Sequence, residues 1–131
     1  MKRSNKNKKI AFEWFKIGND EFNFAKNAFE DLDEYYSQIC VECHRAVEKY
    51  LKGYLVLRNK DFPYVHDLVK LVNLCVKEEK QFKKFIDDCR KISDYYILLR
   101  YPVFYKDRSK KDAKEAIEIA EGIIKFIKKI I

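Results

Sequence analysis

Apolar residues recur at alternating steps of three and four along five stretches of this chain, and no other feature constrains its fold as much. Such spacing places apolar side chains on one face of an amphipathic helix. With only three Gly and two Pro in 131 residues, the chain also has few of the breakers that the many turns of a sheet protein need. The sequence therefore predicts an all-α fold. The first stretch contains Phe15, Gly18, Phe22, Ala25, Phe29 and Leu32.

The other four stretches predict four further helices. The second is apolar on more than one face, which is typical of a central helix or of a subunit interface. The third is short and follows the breaking segment 59–63, the fourth stops at Pro102, and the last begins at Ser109 or Asp112. The predicted fold is an antiparallel up-and-down bundle of four long helices plus one short helix. The apolar positions of these helices are, in order, Tyr36, Cys40, Cys43, Val47, Tyr50, Tyr54 and Leu57; Leu68, Leu71, Val72 and Cys75; Phe82, Phe85, Cys89, Ile92, Tyr96 and Leu99; and Ala113, Ala116, Ala120, Ile123, Ile127 and Ile130.

Much of the net charge of +7 lies at the start of the chain. We predict a basic, flexible N-terminal tail at residues 1–9 and a helical domain at residues 10–131. The tail is either a solvated terminus or a basic arm that touches nucleic acid. Without its basic residues the rest of the chain is close to balanced, at +2. These residues, with no acid among them, are Lys2, Arg3, Lys6, Lys8 and Lys9.

Hydropathy and cysteine usage predict the compartment. No apolar stretch reaches the roughly 18 residues that a membrane span needs, and the basic start lacks the apolar region and cleavage site of a signal peptide. We therefore expect a cytoplasmic protein without membrane association. Its four cysteines are then expected to be reduced thiols rather than disulfides.

Cys40, Cys43 and His44 match the C-x-x-C-H pattern of covalent haem attachment. Both cysteines, however, lie on the predicted buried stripe of a helix, where small thiols are ordinary core residues. Met1 is the only methionine, so no internal Met could serve as a second axial ligand. A structural zinc site needs a second ligand pair, and the chain offers none. We expect neither haem nor zinc, and no other cofactor.

Three short motifs follow one another in a fixed order. They are the run His44-Arg45-Ala46-Val47-Glu48-Lys49-Tyr50-Leu51-Lys52, then His66-Asp67-Leu68, and then Leu99-Arg100-Tyr101-Pro102. Together they resemble the HEPN family, small helical domains named from higher eukaryotes and prokaryotes, nucleotide-binding. The resemblance spans roughly residues 12–127. It implies a helical domain with a role related to nucleotides or nucleic acid.

The same motifs contain the residues that we predict to bind a ligand. Cations at helical spacing suit phosphate, a histidine titrates near neutrality, and a tyrosine can stack on a base. Structural alternatives remain open: Glu48 and Lys52 as an ion pair on the helix surface, His66 as a loop anchor, and Arg100 as a donor to helix-end carbonyls. The predicted ligand-binding residues are Arg45, Lys49, Lys52, His66, Arg100 and Tyr101.

The resemblance also bears on activity. Ribonuclease-type members of the family carry an arginine, four to six further residues and then a histidine. Here His44 and His66 are the only histidines, and neither follows an arginine at that spacing. Seven residues separate Arg58 from His66. The sequence therefore favours a protein without catalytic residues.

The resemblance implies a non-catalytic module that binds nucleotide or RNA, forms a homodimer and acts beside a separate small nucleotidyltransferase. Such pairs occur in toxin–antitoxin or defence-like systems. One alternative is a divergent metal-independent ribonuclease that acts as a homodimer, with His44 or His66 assisted by Arg45, Arg58 or Arg100. Another is a purely structural helical dimer.

Overall fold

The helices predicted from the apolar stripes are present in the computed structural model of the protein. The helices are α1 (Lys2–Asp31), α2 (Tyr36–Leu57), α3 (Leu68–Glu78), α4 (Ile86–Arg100) and α5 (Lys110–Ile130). The structure describes the backbone of residues 2–100 and 107–131, and the side chains of residues 5–96 and 107–131. Pro102, at which the fourth helix is predicted to stop, and most of the segment between it and α5 lie outside these residues. The all-α fold is confirmed, and no helix in the described part is long and apolar enough to cross a membrane.

α1 takes in most of the segment that the sequence predicts to be a tail, because the helix begins at Lys2. From Asn5 onward its side chains are described, and Lys6, Lys8 and Lys9 are exposed on it. The flexibility of residues 1–9, and the division of the chain at residue 10, stay predictions.

α2 is the central helix of the bundle. It packs against α1, α3, α4 and α5, and most of its residues from Ser37 to Leu55 are buried. Its several apolar faces are therefore covered within one chain. The apolar surplus that suggested a dimer built on this helix has an explanation inside the protomer, and the dimer itself stays a prediction.

α1 and α2 are antiparallel and lie unusually close together. Asn7 near the start of α1 donates a hydrogen bond to the side chain of Asn59, just after α2 ends. A Cβ atom on Gly53 would lie 2.6 Å from the Phe15 ring, and one on Gly18 would lie 2.8 Å from the Tyr50 ring. The two helices can pack at this distance only because both positions are glycine.

The fourth predicted helix is divided in two. A 3₁₀ helix, Lys80–Phe85, precedes α4, and the Glu79 side chain accepts a hydrogen bond from the Gln81 N–H at its start. α5 begins with a capping box, in which Ser109 Oγ accepts from the Asp112 N–H and Asp112 accepts from the Ser109 N–H, both at 3.1 Å. The two candidate starts of α5 thus act together: Ser109 is the N-cap and Asp112 the third residue of the helix.

All four cysteines are unpaired and buried in the core, as their stripe positions predict. Burial, the largest cause in each case, raises the pKa of the Cys40 and Cys89 thiols to about 12. Buried thiols with a raised pKa hold little reactive thiolate at neutral pH. Their reduced, metal-free state stays a prediction.

Candidate functional site

A cleft of about 430 Å³ opens between α2, the segment that leads into α3, and α4. The carboxylate of Asp67 fixes that segment, because it accepts hydrogen bonds from the N–H groups of Val69 and Lys70 and so caps α3. The structure thus brings together the three elements that carry the sequence motifs. The residues that line the cleft are His44, Val65, His66, Asp67, Val69, Arg90, Ser93, Asp94 and Tyr96.

Glu48 is the buried anchor behind this cleft. Its carboxylate, 3% exposed, accepts a hydrogen bond from Lys52 Nζ at 2.9 Å and lies 3.0 Å from His66 Nδ1. Burial acts to raise the pKa of Glu48, but the hydrogen bonds from Lys52 and His66 outweigh it and lower the pKa below its ordinary value. Glu48 is therefore ionised at neutral pH and ties His66 to α2, which is the loop-anchoring role that the sequence left open.

Lys52 lies behind Glu48 and away from the cleft. Its side chain is buried, and its Nζ sits 5.7 Å from the Trp14 ring centroid and 5.6 Å from that of Phe62. Two aromatic faces and one carboxylate therefore stabilise the ammonium group. The Glu48–Lys52 pair exists as the helical spacing predicts, but it is buried rather than exposed on the helix surface.

The other predicted ligand-binding residues lie apart from the cleft or outside the described part. Arg45 pairs with Glu42 at 2.9 Å, and Lys49 pairs with Glu21 of α1 at 3.3 Å. Of the predicted set, only His66 lines the cleft among the residues that the structure describes. The side chain of Arg100, and Tyr101 as a whole, are not described. A phosphate-binding role for all these residues stays a prediction.

Three aromatic rings stand in a row at the cleft. The His44 and Tyr96 rings stack with centroids 4.3 Å apart and planes 14° apart, and the His66 ring tilts towards Tyr96 at 6.2 Å. Burial is the largest influence on His44 and lowers its pKa to about 4. The His44 imidazole is therefore neutral at pH 7. The buried end of the ring row is an uncharged aromatic ring and not a cation.

Two buried polar atoms on the cleft wall lack hydrogen-bond partners within the described part of the protein. They are His44 Nδ1 and Ser93 Oγ. His44 Nδ1 is 3.9 Å from Glu48, too far for a hydrogen bond. Leaving a buried polar atom unpaired costs about 1–3 kcal/mol, so these two atoms are energetically unfavourable features of the cleft wall.

Sequence comparison agrees with the motifs. The model of the HEPN domain family matches residues 11–130, nearly the whole chain. The chain belongs to the HEPN family. HEPN domains are modules associated with nucleotides and RNA, and the resemblance seen in the three motifs is confirmed. No curated protein and no solved structure matches the chain.

Residue patterns missed much of this HEPN cleft. The sequence patterns do not indicate Arg90, Ser93 or Asp94, and they predict Tyr96 only as a core residue of its helix. One signal was present: Ser93 follows the core residue Cys89 by four residues, so helical spacing puts a hydroxyl on a buried face. Nothing in the sequence indicates that the His66 segment and Ser93 line the same cleft.

Proposed function

We propose that this HEPN domain is a binding module that holds a nucleotide, free or within an RNA strand, in the cleft and does not cleave it. The observation that carries the proposal is the pair of unpartnered atoms, His44 Nδ1 and Ser93 Oγ, beside the ring row. A nucleobase has a flat face that stacks on aromatic rings and edges that donate and accept hydrogen bonds. The ring row would stack on the face of the base, and His44 Nδ1 and Ser93 Oγ would form hydrogen bonds with its edge.

The charges around the cleft suit the rest of a nucleotide. Arg90 lines the cleft with a largely exposed side chain whose Nη1 pairs with Asp87 at 2.8 Å, and the other N–H groups of its guanidinium can bind a phosphate. Asp94, also on the lining, can accept a hydrogen bond from a base amino group. Arg100 closes α4 four residues after Tyr96 and remains our predicted second phosphate contact.

We further propose that the chemistry associated with this domain resides on a separate small nucleotidyltransferase and that the domain forms a homodimer. The chain carries no nucleotidyltransferase signature of its own, and family resemblance is the support for such a pairing. Glu48, the buried carboxylate closest to the cleft, is neutralised by Lys52. A toxin–antitoxin or defence-like system is the setting that the resemblance favours.

Binding measurements on matched tyrosine variants test the proposal. Purified protein is titrated at low salt with the four ribonucleoside monophosphates and with a short RNA. Tyr96→Leu removes the central ring and should weaken binding about tenfold, since base stacking is worth about 1–3 kcal/mol. Tyr64→Leu is the control, because Tyr64 is fully exposed and does not line the cleft, and its affinity should match wild type. No binding by wild type, or equal binding by Tyr96→Leu, would contradict the proposal.

One observation favours a second function, metal-independent ribonuclease. A carboxylate that binds one imidazole nitrogen is how enzymes orient a histidine that transfers protons through the other. Glu48 holds His66 Nδ1 in this way, and His66 is 55% exposed at the cleft. RNA incubated with the protein and a chelator should stay intact under our proposal. Cleavage by wild type that His66→Gln abolishes would establish the ribonuclease instead.

A further inference from the structure

We propose that one end of the bundle is a second binding surface, which holds the phosphodiester backbone of a nucleic acid strand. We call it the basic pole and define it by the segments 5–10, 58–61, 77–85 and 125–131. The inference extends the proposed function, because it names a strand rather than a single nucleotide as the ligand. The basic residues of the pole are Lys6, Lys8, Lys9, Arg58, Lys60, Lys77, Lys80, Lys83, Lys84, Lys125, Lys128 and Lys129.

Specific contacts bring these four distant segments to one end of the molecule. The Asn7–Asn59 hydrogen bond places the start of α1 beside the end of α2. Glu78 at the end of α3 pairs with both Arg58 and Lys60. The rings of Tyr54, Phe82 and Phe126 then connect the last turns of α2, the 3₁₀ helix and α5, with centroids 4.9 and 5.0 Å apart.

The ring contacts extend into a shallow groove of about 390 Å³. Lys84, Lys125, Lys129 and Phe126 are among its lining residues. The Nζ atom of Lys84 lies 4.4 Å from the Phe126 ring centroid, so this ammonium group rests on the apolar floor by a cation–π contact, and Lys125 and Lys129 are exposed beside it. The groove therefore presents ammonium groups to an anionic ligand.

The pole carries more positive charge than the whole chain does. Its segments contain twelve basic residues and three acids, against a net charge of +7 overall. Only Arg58, Lys60 and Lys125 pair with a carboxylate within 4 Å, as far as the structure describes their surroundings. Segment 27–35, at the opposite end of α1, holds four acids and no base. The fold thus gathers basic residues at one end of the bundle and acidic residues at the other, whereas the sequence alone indicated mainly a basic N-terminal tail.

This distribution suits a phosphodiester backbone better than a compact ligand. Lysine is a flexible point charge that neutralises phosphate without fixing a geometry, and these lysines are spread over four segments rather than gathered in one pocket. Tyr54 lies ten residues after His44 on α2, about 15 Å along the helix axis. The pole is therefore separate from the cleft, yet a strand that leaves the cleft can reach it.

A pair of triple variants with equal charge tests the pole. Lys83, Lys128 and Lys129 are changed to Gln in one protein, and Lys110, Lys111 and Lys114 at the start of α5 in the other; all six are exposed. Fluorescence anisotropy with a labelled single strand of about 20 nucleotides, as RNA and as DNA, gives affinity against salt. The pole triple should weaken binding at least tenfold and reduce the salt slope by about two, whereas the control triple should change affinity less than twofold.

Other outcomes overturn the inference. The inference is wrong if both triple variants weaken strand binding equally or if the pole triple variant binds the strand as tightly as wild type. It is also wrong if polyglutamate of the same charge displaces the labelled strand as well as the unlabelled strand does. If the pole triple melts early, Lys6, Lys8 and Lys9 changed to Gln on the exposed side of α1 must give the same loss of affinity. RNA and DNA affinities reveal which strand is preferred. Mononucleotide titrations report the cleft alone, so failure of the pole and failure of the proposed function are distinguishable.

Discussion

Single buried polar residues shape the cleft wall. A buried carboxylate is tolerated only when it is paired and hydrogen-bonded, and Glu48 meets that condition through Lys52 and His66. His44, one turn earlier on α2, has no such ion pair. Its ring is buried, stacks on Tyr96 and is neutral at pH 7. These two neighbours therefore respond to acid in different pH ranges.

Replacement of His44 by Phe should remove an acid sensitivity of the fold. The pKa of His44 is about 4 in the folded protein against 6.5 for an ordinary histidine, so only the unfolded chain takes up this proton as the pH falls below 6.5. Wild type should lose roughly 2–3 kcal/mol of stability from this residue by pH 4.5. His44→Phe keeps the ring stack and should lack this loss, as measured by urea unfolding at pH 7.0, 6.5, 5.5 and 4.5.

The control for that experiment is Ser93→Ala, which leaves His44 in place and should follow the wild-type pH dependence. Glu48 contributes little to the pH dependence in this range. Its pKa is lowered in the folded protein, so the stability that it provides is lost only as the pH falls below 4.5, the pKa of Glu48 in the unfolded chain. A His44→Phe protein that weakens across pH 6.5–4.5 as steeply as wild type would refute the account of His44.

Helical spacing predicted which residues are neighbours but not what covers them. Arg45, Lys49 and Lys52 share one face of α2, as their spacing requires, and that spacing predicts cations that can bind phosphate. The structure instead pairs Lys49 with a carboxylate from α1 and covers Lys52 with Trp14 and Phe62. These contacts join residues more than 20 positions apart or depend on a loop without periodicity, so no local pattern reveals them.

At the scale of elements, the spacing of apolar residues predicts where helices form, but it does not distinguish an α-helix from a 3₁₀ helix. The five stripes give all five α-helices because each must bury one apolar face. The 3₁₀ helix before α4 escaped prediction for a physical reason. Residues three apart share a face in both 3₁₀ and α-helices, so Phe82 and Phe85 fit either form.

The close packing of α1 on α2 gives a test with an internal control. Gly53→Ala should destabilise the protein by about 1–3 kcal/mol, since the new Cβ would lie 2.6 Å from the Phe15 ring and 3.0 Å from Trp14 Cβ. Gly122→Ala in α5 meets no atom within 4 Å and should stabilise the helix by about 0.5–1 kcal/mol. Urea unfolding measures both changes. If both alanines shift stability in the same direction, the two helices are not packed as described.

At the scale of the whole molecule, α1 carries large exposed apolar side chains and α2 carries none among the residues that the structure describes. Ile17 and Phe24 are seven residues apart on one face of α1 and are 48% and 62% exposed. Residues at this spacing suit contact with a second helix. We predict that the homodimer uses this face, since the apolar faces of α2 pack against other helices of the same chain.

Light scattering at micromolar concentration tests the dimer. Wild type should have twice the mass of one chain, and the double variant Ile17→Asp, Phe24→Asp should have the mass of one. Exposed Asn23→Asp, Asn27→Asp adds the same charge on the neighbouring face of α1; this matched control should stay dimeric. A monomeric wild type would exclude the dimer, and a dimeric double variant would place its interface elsewhere.

The most direct test of the cleft as a nucleotide site is a titration followed by amide NMR of the ¹⁵N-labelled protein. If the proposal holds, a mononucleotide shifts the amide signals of residues 44–48, 65–69 and 90–96, and these shifts saturate with one affinity. For Ser93→Ala the same shifts should need up to about tenfold more ligand, while that protein melts no lower than wild type, because an unpaired buried hydroxyl costs stability. Shifts confined to other residues, or no shifts at millimolar ligand, would contradict the account.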